Sequence, residues 1–570
     1  MPVGERRSDT PRDEVLLADG YYVDNFQTVL DTVRERYDDL LRPEELDFAA
    51  TFDELPDPCR RLYVRLISRK GPCFRVDLLS YEDVPDLVAA TEELLQAGLL
   101  DGARDAEPEE VLATLRKAEL VDVAAVLGAD RAVATLRRGE IESGLADQPQ
   151  ALRVARDRFP IVRPVGVEVI LVYRLLFFGN LGQDLSELVI RDLGIVRYED
   201  YPLDRRLRLF DQRQEIDHAL VLREYRHSVH DLLAGGLVDE ALGIAEHLLS
   251  GDAWGLKGLH PNAKPQLDRL LNGLGRELER CGRSEEALAI YESAEAPPSR
   301  ERRVRVLERL ERLDEAHGLC TTLAEEPYDE AERDAARVIG RRLDRKLGLG
   351  PGAPRRKRRV MELEIAPDPG TAVESLVVEH LESQGRMALR TENWLWRSLF
   401  GLAFWDVVFE PLPGVFEHPF QTGPLDLYTA DFRRRRETAV SQRLEELHGH
   451  DDLRSFLMPV YEEKQGIASS LVVWHPEVQE TLLQAMDLVR GRDLALVADR
   501  LSRDLGRYRR GLPDLLVTAE KADGSGPRFE LWEVKGPGDQ LRAEQKAWID
   551  YFEEVGIPAQ VAKVSWKSGA

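Results

Sequence analysis

The apolar positions of this chain keep a helical period for most of its length and change to a period of two only near the C-terminus. From about residue 20 to 150, Leu87, Leu94, Leu95 and Leu99, then Leu112, Leu115, Leu120 and Leu127, recur at roughly helical spacing. Inside that region Arg61-Leu-Tyr-Val-Arg-Leu-Ile-Ser-Arg-Lys70 alternates cations with β-favouring residues. A strand is predicted there, with Arg61, Arg65 and Arg69 on one side, where they could track a DNA backbone; a solvent-facing side of a two-sided strand is the alternative. From about 215 to 350 the pattern is helical throughout. Val238-Asp-Glu-Ala-Leu242, Ser284-Glu-Glu-Ala-Leu288 and Leu313-Asp-Glu-Ala316 each follow a short turn. Their spacing scatters around the roughly 34-residue period of tetratricopeptide helix pairs, which predicts a degenerate α-solenoid. The Gly-, Pro- and Arg-rich stretch 348–359 closes it.

Beyond that stretch a helix is predicted over Thr371–Gln384. The segment Leu389–Phe409 is apolar nearly all round, a buried helix with Thr391 as its N-cap. The period then falls to two: strands are predicted over Asp514–Thr518 and Phe529–Lys535, joined by a polar turn at Ala522–Pro527. A helix follows Gly536-Pro-Gly538, with Asp539 as its predicted cap. Leu541, Trp548 and Phe552 define its inner face, which also carries Gln545. The strand Ala559–Val564 then returns beside Phe529–Lys535 after this helical crossover.

That arrangement puts chemistry on two strands. An aspartate at the start of one, and a glutamate and lysine two apart on its neighbour, converge on one face because strand side chains alternate sides. Asp514 and Glu533 offer hard carboxylate oxygens suited to Mg²⁺ or Mn²⁺, and Lys535 can orient a water and offset charge on a phosphate. The alternative for Asp514 is turn chemistry, and for Glu533 and Lys535 an exposed strand face. Gln545, a polar group facing the sheet, needs a partner: a ligand, a scissile phosphate, or a nearby backbone group. Glu392 opens the buried helix, where an acid also complements the helix dipole.

Length and charge constrain the rest. At 570 residues the chain is too long for one core. The regions expected are a disordered lead-in (1–19), a helical DNA-binding region (20–150), the solenoid (151–350), a basic linker with a lead-in helix (351–385) and a nuclease domain (386–570). The apolar stretch Val165–Gly179 is broken by Glu168 and Arg174 and falls short of a membrane span. The first residues carry no secretory h-region, so a cytoplasmic location is expected, with nucleoid association if the chain is bacterial, and no membrane partner. Four cysteines, none in a CxxC pair, exclude a structural zinc finger. A net charge of -26 repels nucleic acid at long range, but screening beyond about 10 Å leaves local patches to decide. Three patches exist: Arg355–Arg359, Arg433–Arg436 and Arg507-Tyr-Arg509-Arg510. The last abuts Asp514; a solvated linker or helix face is the alternative for each.

These residues carry a resemblance. Arg509-Arg-Gly-Leu-Pro-Asp514, then Trp532-Glu-Val-Lys535-Gly-Pro-Gly-Asp539, then Gln545-Lys-Ala-Trp548, resembles the VRR-NUC branch of the PD-(D/E)xK nucleases. Glu392 with Leu399-Phe-Gly-Leu-Ala-Phe-Trp-Asp406, Pro424-Leu-Asp-Leu427 and Arg61-Leu-Tyr-Val-Arg65 narrows it to the Fanconi-associated nuclease family. The resemblance implies a multidomain, mainly α protein: an SAP-like helical DNA-binding region, a tetratricopeptide-like middle and a C-terminal α/β restriction-endonuclease-like core. It implies a structure-selective DNA nuclease with 5′ flap endonuclease and 5′-to-3′ exonuclease activity in interstrand cross-link repair, acting on branched or flapped DNA. It makes Glu392, Asp514, Glu533 and the Val534 carbonyl the ligands of Mg²⁺ or Mn²⁺, Lys535 the catalytic lysine, and Arg61, Arg65, Arg69, Lys70, Arg509 and Arg510 candidates for holding DNA. The cysteine count cannot build the ubiquitin-binding finger of animal members, and the shorter architecture is similar to that of bacterial ones. A Holliday-junction resolvase and a non-catalytic junction scaffold are the rival readings.

Overall fold

A computed structural model describes residues 20–183, 196–250, 258–350, 358–519 and 528–567. The predicted lead-in, the first three cations of Arg355–Arg359 and the turn Ala522–Pro527 lie outside the described residues. The chain divides into two compact units, 1–195 with 204–209, and 196–203 with 210–570.

In the N-terminal unit, helices Tyr21–Tyr37, Pro43–Glu54 and Asp57–Ile67 pack around Phe26, Phe52 and Tyr63, all buried. Phe26 and Phe52 meet edge to face with centroids 5.0 Å apart. Helix Val167–Phe178 returns to this core, and the Tyr173 hydroxyl donates to the Glu45 carbonyl at 3.1 Å. Residues 151–178 therefore belong here and not to the solenoid, which begins with the helix at Arg213. A small sheet of β1 (Phe74–Arg75), β2 (Leu100–Asp101) and β3 (Ile161–Pro164), in the order β1-β3-β2, ties the unit's two ends together.

The strand expected over Arg61–Lys70 is not one: Asp57–Ile67 is a helix with proline in its first turn. A spacing of four puts Arg61 and Arg65 on one side under either period, so the cations do not discriminate. The apolar residues do, since Cys59, Leu62, Tyr63 and Leu66 are buried together at helical spacing.

In the second unit, seven helices among the described residues, from Arg213–Ala234 to Glu330–Leu347, pack in succession over a Leu- and Ala-rich core. Gly275 is required by close approach: a Cβ there would lie 2.6 Å from the Tyr291 ring. The chain then builds a five-stranded sheet from β4 (Val360–Ile365), β5 (Ala388–Arg390), β6 (Leu515–Thr518), β7 (Phe529–Lys535) and β8 (Ala559–Trp566). The order is β4-β8-β7-β6-β5, parallel across β4, β8 and β7 and antiparallel across β7, β6 and β5. Helix Val373–Ser383 covers one face through Leu376, Val377 and Leu381 against Leu515, Val517, Trp532 and Val534. Helices Leu395–Ala403 and Ala543–Val555 cover the other, through Trp396, Trp548 and Phe552 against Leu516, Phe529 and Leu531. Residues 360–385, expected as linker and lead-in helix, supply an edge strand and a face of this fold. No helix among the described residues is long and apolar enough to cross a membrane.

Candidate active site

Leu515 pairs with Trp532, so the next residues out, Asp514 and Glu533, face each other where the β6–β7 ladder ends. Side chains directly opposite on one face have Cβ atoms about 5 Å apart, and two like charges there oppose each other. By alternation along its strand Glu533 projects to the face of Leu531. Glu533 is fully buried. Its Oε1 accepts from Lys535 Nζ at 2.7 Å, while its Oε2 is buried without a hydrogen-bond partner. Asp514 Oδ2 accepts the Val534 N–H at 2.8 Å. In a strand the N–H and C=O of one residue point the same way, so the Val534 carbonyl also lies on the Asp514 side. Burial pushes the Asp514 carboxyl up to about 6, against the Val534 hydrogen bond and the Lys535 charge. Burial and the Asp514 charge push Glu533 up to about 8, against Lys535.

The loop that carries Asp514 is fixed from several directions. Gly511 adopts φ +80°, and a Cβ there would lie 2.7 Å from Glu544 at the start of Ala543–Val555. Trp548 Nε1 donates to the carbonyls of Tyr508 and Arg510, at 3.0 and 3.1 Å. Thr391 does not cap a helix. Its N–H donates to the Asp514 carbonyl at 2.8 Å and its hydroxyl to the Pro513 carbonyl at 2.9 Å, and the helix starts later, at Leu395. Asn393, at φ +58°, accepts the Leu512 N–H. These bonds hold Glu392 at the exposed rim of the site, where its charge opposes ionisation of Asp514.

Two carboxyls, Glu533 buried and Asp514 partly so, with one Glu533 oxygen unpartnered and both held above the usual carboxyl range, form a set of hard oxygens that a divalent cation fits. Among the described residues no three acidic, His or Cys side chains converge closely enough to hold a metal by themselves. The fit therefore also calls on the Val534 carbonyl, with Glu392 from the rim.

Gln545 accepts the Arg542 N–H through its Oε1 at 2.9 Å, as half of a capping box. Asp539 does not cap that helix; its Oδ2 accepts the Gly536 N–H at 3.2 Å. Of the predicted DNA-binding residues, Arg61 pairs with Asp57 and Arg65 with Asp83, each at 2.8 Å, and Arg69 donates to the Tyr81 hydroxyl. Lys70 and Arg510 are exposed, and the Arg509 guanidinium sits 4.4 Å over the Tyr428 ring. The other basic runs are largely neutralised: Arg507 by Asp334, Arg433 by Glu437 and Asp499, and the buried Arg436 by Asp426. Glu374, in the first turn of helix Val373–Ser383, was not legible as a site residue, yet its charge acts on Asp514. An acid in a first helical turn is common, and no motif marks this one.

The family model for the FAN1 HTH domain matches residues 20–101, and that for the VRR-NUC domain matches residues 450–566. A Fanconi-associated nuclease 1 homolog from Pseudomonas aeruginosa is 35% identical over 96% of this chain and 96% of its own. The chain belongs to the Fanconi-associated nuclease family. It is a structure-selective DNA nuclease acting in repair, and VRR-NUC nucleases are generally metal-dependent. Human Fanconi-associated nuclease 1 is 27% identical over 95% of this chain, which spans 62% of the human protein. A crystal structure of paFAN1 bound to 5′ flap DNA with a two-nucleotide flap and a gap aligns at a TM-score of 0.79 and 33% identity, covering 98% of this chain and all of that one. A second, with a one-nucleotide flap, aligns at a TM-score of 0.76 and 32% identity over 97% of this chain and all of that one.

Proposed function

We propose that this member of the family is a Mg²⁺- or Mn²⁺-dependent 5′ flap endonuclease and 5′-to-3′ exonuclease, that flapped DNA is its substrate, and that it serves interstrand cross-link repair in the cytoplasm. The observation that carries the reading is the pair Asp514–Glu533, opposed across β6 and β7 with the Glu533 Oε2 unpartnered and Lys535 at 2.7 Å from Oε1.

Asp514, Glu533 and the Val534 carbonyl, with Glu392 at the rim, would hold the ion. A bound Mg²⁺ or Mn²⁺ supplies a Lewis acid for the scissile phosphate and an acidified water. Lys535 is held by Glu533 beside the carboxylates, placed to orient a nucleophilic water and to offset charge that builds on the phosphate in the transition state. The burial of Glu533 and the partial burial of Asp514 limit competition from water and strengthen each of these interactions. No side chain acts as a covalent nucleophile.

The test is cleavage of end-labelled 5′-flap, 3′-flap and four-way-junction DNA in Mg²⁺, Mn²⁺ or EDTA, alongside Asp514→Ala. Metal-dependent cutting of the 5′ flap, lost in the variant, is the expected result. Preferred cutting of the junction would replace the reading with a resolvase, and tight binding without cutting in either metal would replace it with a scaffold.

A further inference from the structure

Resting on the nuclease reading above, we infer that Arg397 and Arg509, with Tyr428 as their pedestal, form a clamp for a DNA backbone phosphate beside the metal centre. Arg397 lies in the first turn of helix Leu395–Ala403, shortly after Glu392, and Arg509 lies on the segment that runs into Asp514. Both are half-buried, and neither forms an ion pair among the described residues. The Arg397 Nε is buried with no hydrogen-bond partner. Burial holds the Arg397 pKa below its usual range, Tyr428 acts against that and Arg509 adds to it, and no carboxylate is among the groups that act on it.

Two guanidiniums within reach of each other's charge, partly out of water and without an acid between them, are an arrangement that a folded chain does not keep for stability. Four other arginines of the same unit differ. Arg433, Arg436 and Arg507 each find a carboxylate. Arg500, whose Nε is also buried and unpartnered, is enclosed by Tyr508, Trp548 and Tyr551 with each ring centroid within 4.8 Å. Arg397 has neither solution. What the pair lacks is an anion with several acceptor oxygens, and a phosphodiester takes guanidinium forks in two-point contact. Tyr428 serves as the floor: the Arg509 guanidinium stacks on its ring, and its hydroxyl donates to the Ser470 carbonyl at 3.3 Å. The clamp fixes backbone register and reads no base.

The test compares wild type with Arg397→Gln, Arg397→Lys and Arg509→Gln on 5′-flap DNA carrying one neutral methylphosphonate at each successive position around the cut. Affinity is read by anisotropy in EDTA, cleavage in Mg²⁺, and the melting temperature without DNA. Arg397→Gln is expected to weaken binding about tenfold, to reduce the salt slope by about one, and to melt at the same or a higher temperature. At one methylphosphonate position wild type should fall to the level of the variant, while the variant loses nothing further. Arg397→Lys keeps charge without the fork and should recover part of the loss. An identical Arg397→Gln penalty at every position, or a lower melting temperature with unchanged affinity, would overturn the clamp in favour of a structural arginine. If wild type cuts nothing in either metal, the nuclease reading fails, and the EDTA binding arm still decides the clamp.

Discussion

Two glutamates of the second unit are about equally hidden from water and lead opposite lives. Glu279, at the end of the solenoid helix Lys264–Arg280, gives both oxygens full partners. Oε1 accepts from the Tyr291 hydroxyl and Arg302 Nε, each at 2.8 Å, and Oε2 from Arg302 and Arg309 at 2.7 and 3.0 Å. Glu533 has one lysine, an opposing aspartate and an unpartnered oxygen. Burial alone therefore says nothing about function; the match between a buried charge and its partners does. Where the match is complete the glutamate joins helices, and where it is deficient the fold holds charge in reserve for something that arrives later.

The comparison breaks most visibly in turnover. Asp514→Ala or Glu533→Gln is expected to reduce flap cleavage by on the order of 10³-fold or more, whereas Glu279→Gln leaves the rate of the folded protein unchanged. Lys535→Ala should cost about 10²-fold while sparing metal binding, since it removes a transition-state partner and not a ligand. Isothermal titration of metal into each variant separates the two kinds of loss.

The pH profile sharpens the same point. The metal competes with protons at carboxyls raised to about 6 and about 8, so metal affinity and cleavage should climb as pH rises through that window. Increasing the metal concentration should move the acid limb to lower pH, by up to about one unit per tenfold while metal is limiting. A limb that stayed in place at all metal concentrations would show that these carboxyls do not hold the ion. Glu392→Gln, at the rim, should raise the metal needed for half-maximal rate by about tenfold and be rescued by excess metal.

Stability should respond with opposite signs. The raised carboxyls mean that the folded, metal-free protein keeps protons that the unfolded chain releases above pH of about 4. Their contribution to stability therefore falls as pH rises toward 8. Glu533→Gln removes that penalty and should melt higher than wild type at pH 8 without metal, and show a smaller rise when metal is added. Glu279→Ala should lose about 2 kcal/mol, less than a fully buried pair would, because Arg302 and Arg309 remain partly in water. Melting curves in EDTA and in Mn²⁺ read both.

How much of this could be read beforehand depends on how far apart the partners lie. Strand β7 was legible over its whole length, because alternation and the Glu-x-Lys pair agree on one face. Its opposition to Asp514 followed from two short apolar runs joined by a turn. The solenoid was legible as helices but not as to where it begins, since residues 151–178 look equally helical and are claimed by a core that forms around Phe26 and Phe52. The helix Asp57–Ile67 reads as a strand because cations four apart satisfy both periods and Tyr, Val and Ile favour strands; the burial pattern that decides it is a tertiary fact. Thr391 has an N-cap's chemistry, yet its hydroxyl spans to Pro513, and the acids that neutralise Arg433 and Arg507 are also far along the chain. Pairing at such separations leaves no local trace.

The smallest predicted effect tests Gln545, on which sequence and structure differ most subtly. It lies on the inner helical face that the apolar spacing marks, but its Oε1 is committed to the Arg542 N–H. A capping-box side chain contributes about 0.5–1 kcal/mol, and the helix it starts carries Trp548, whose indole holds the Asp514 loop through the Tyr508 and Arg510 carbonyls. Gln545→Ala should therefore destabilise by about that amount, while Gln545→Glu, which keeps an acceptor at the same place, should melt as wild type does. Cleavage should fall only in proportion to the loss of folded protein at the assay temperature. A large fall in rate for Gln545→Glu at unchanged melting temperature would move Gln545 out of the matched class, with Glu279, and into the class of Glu533.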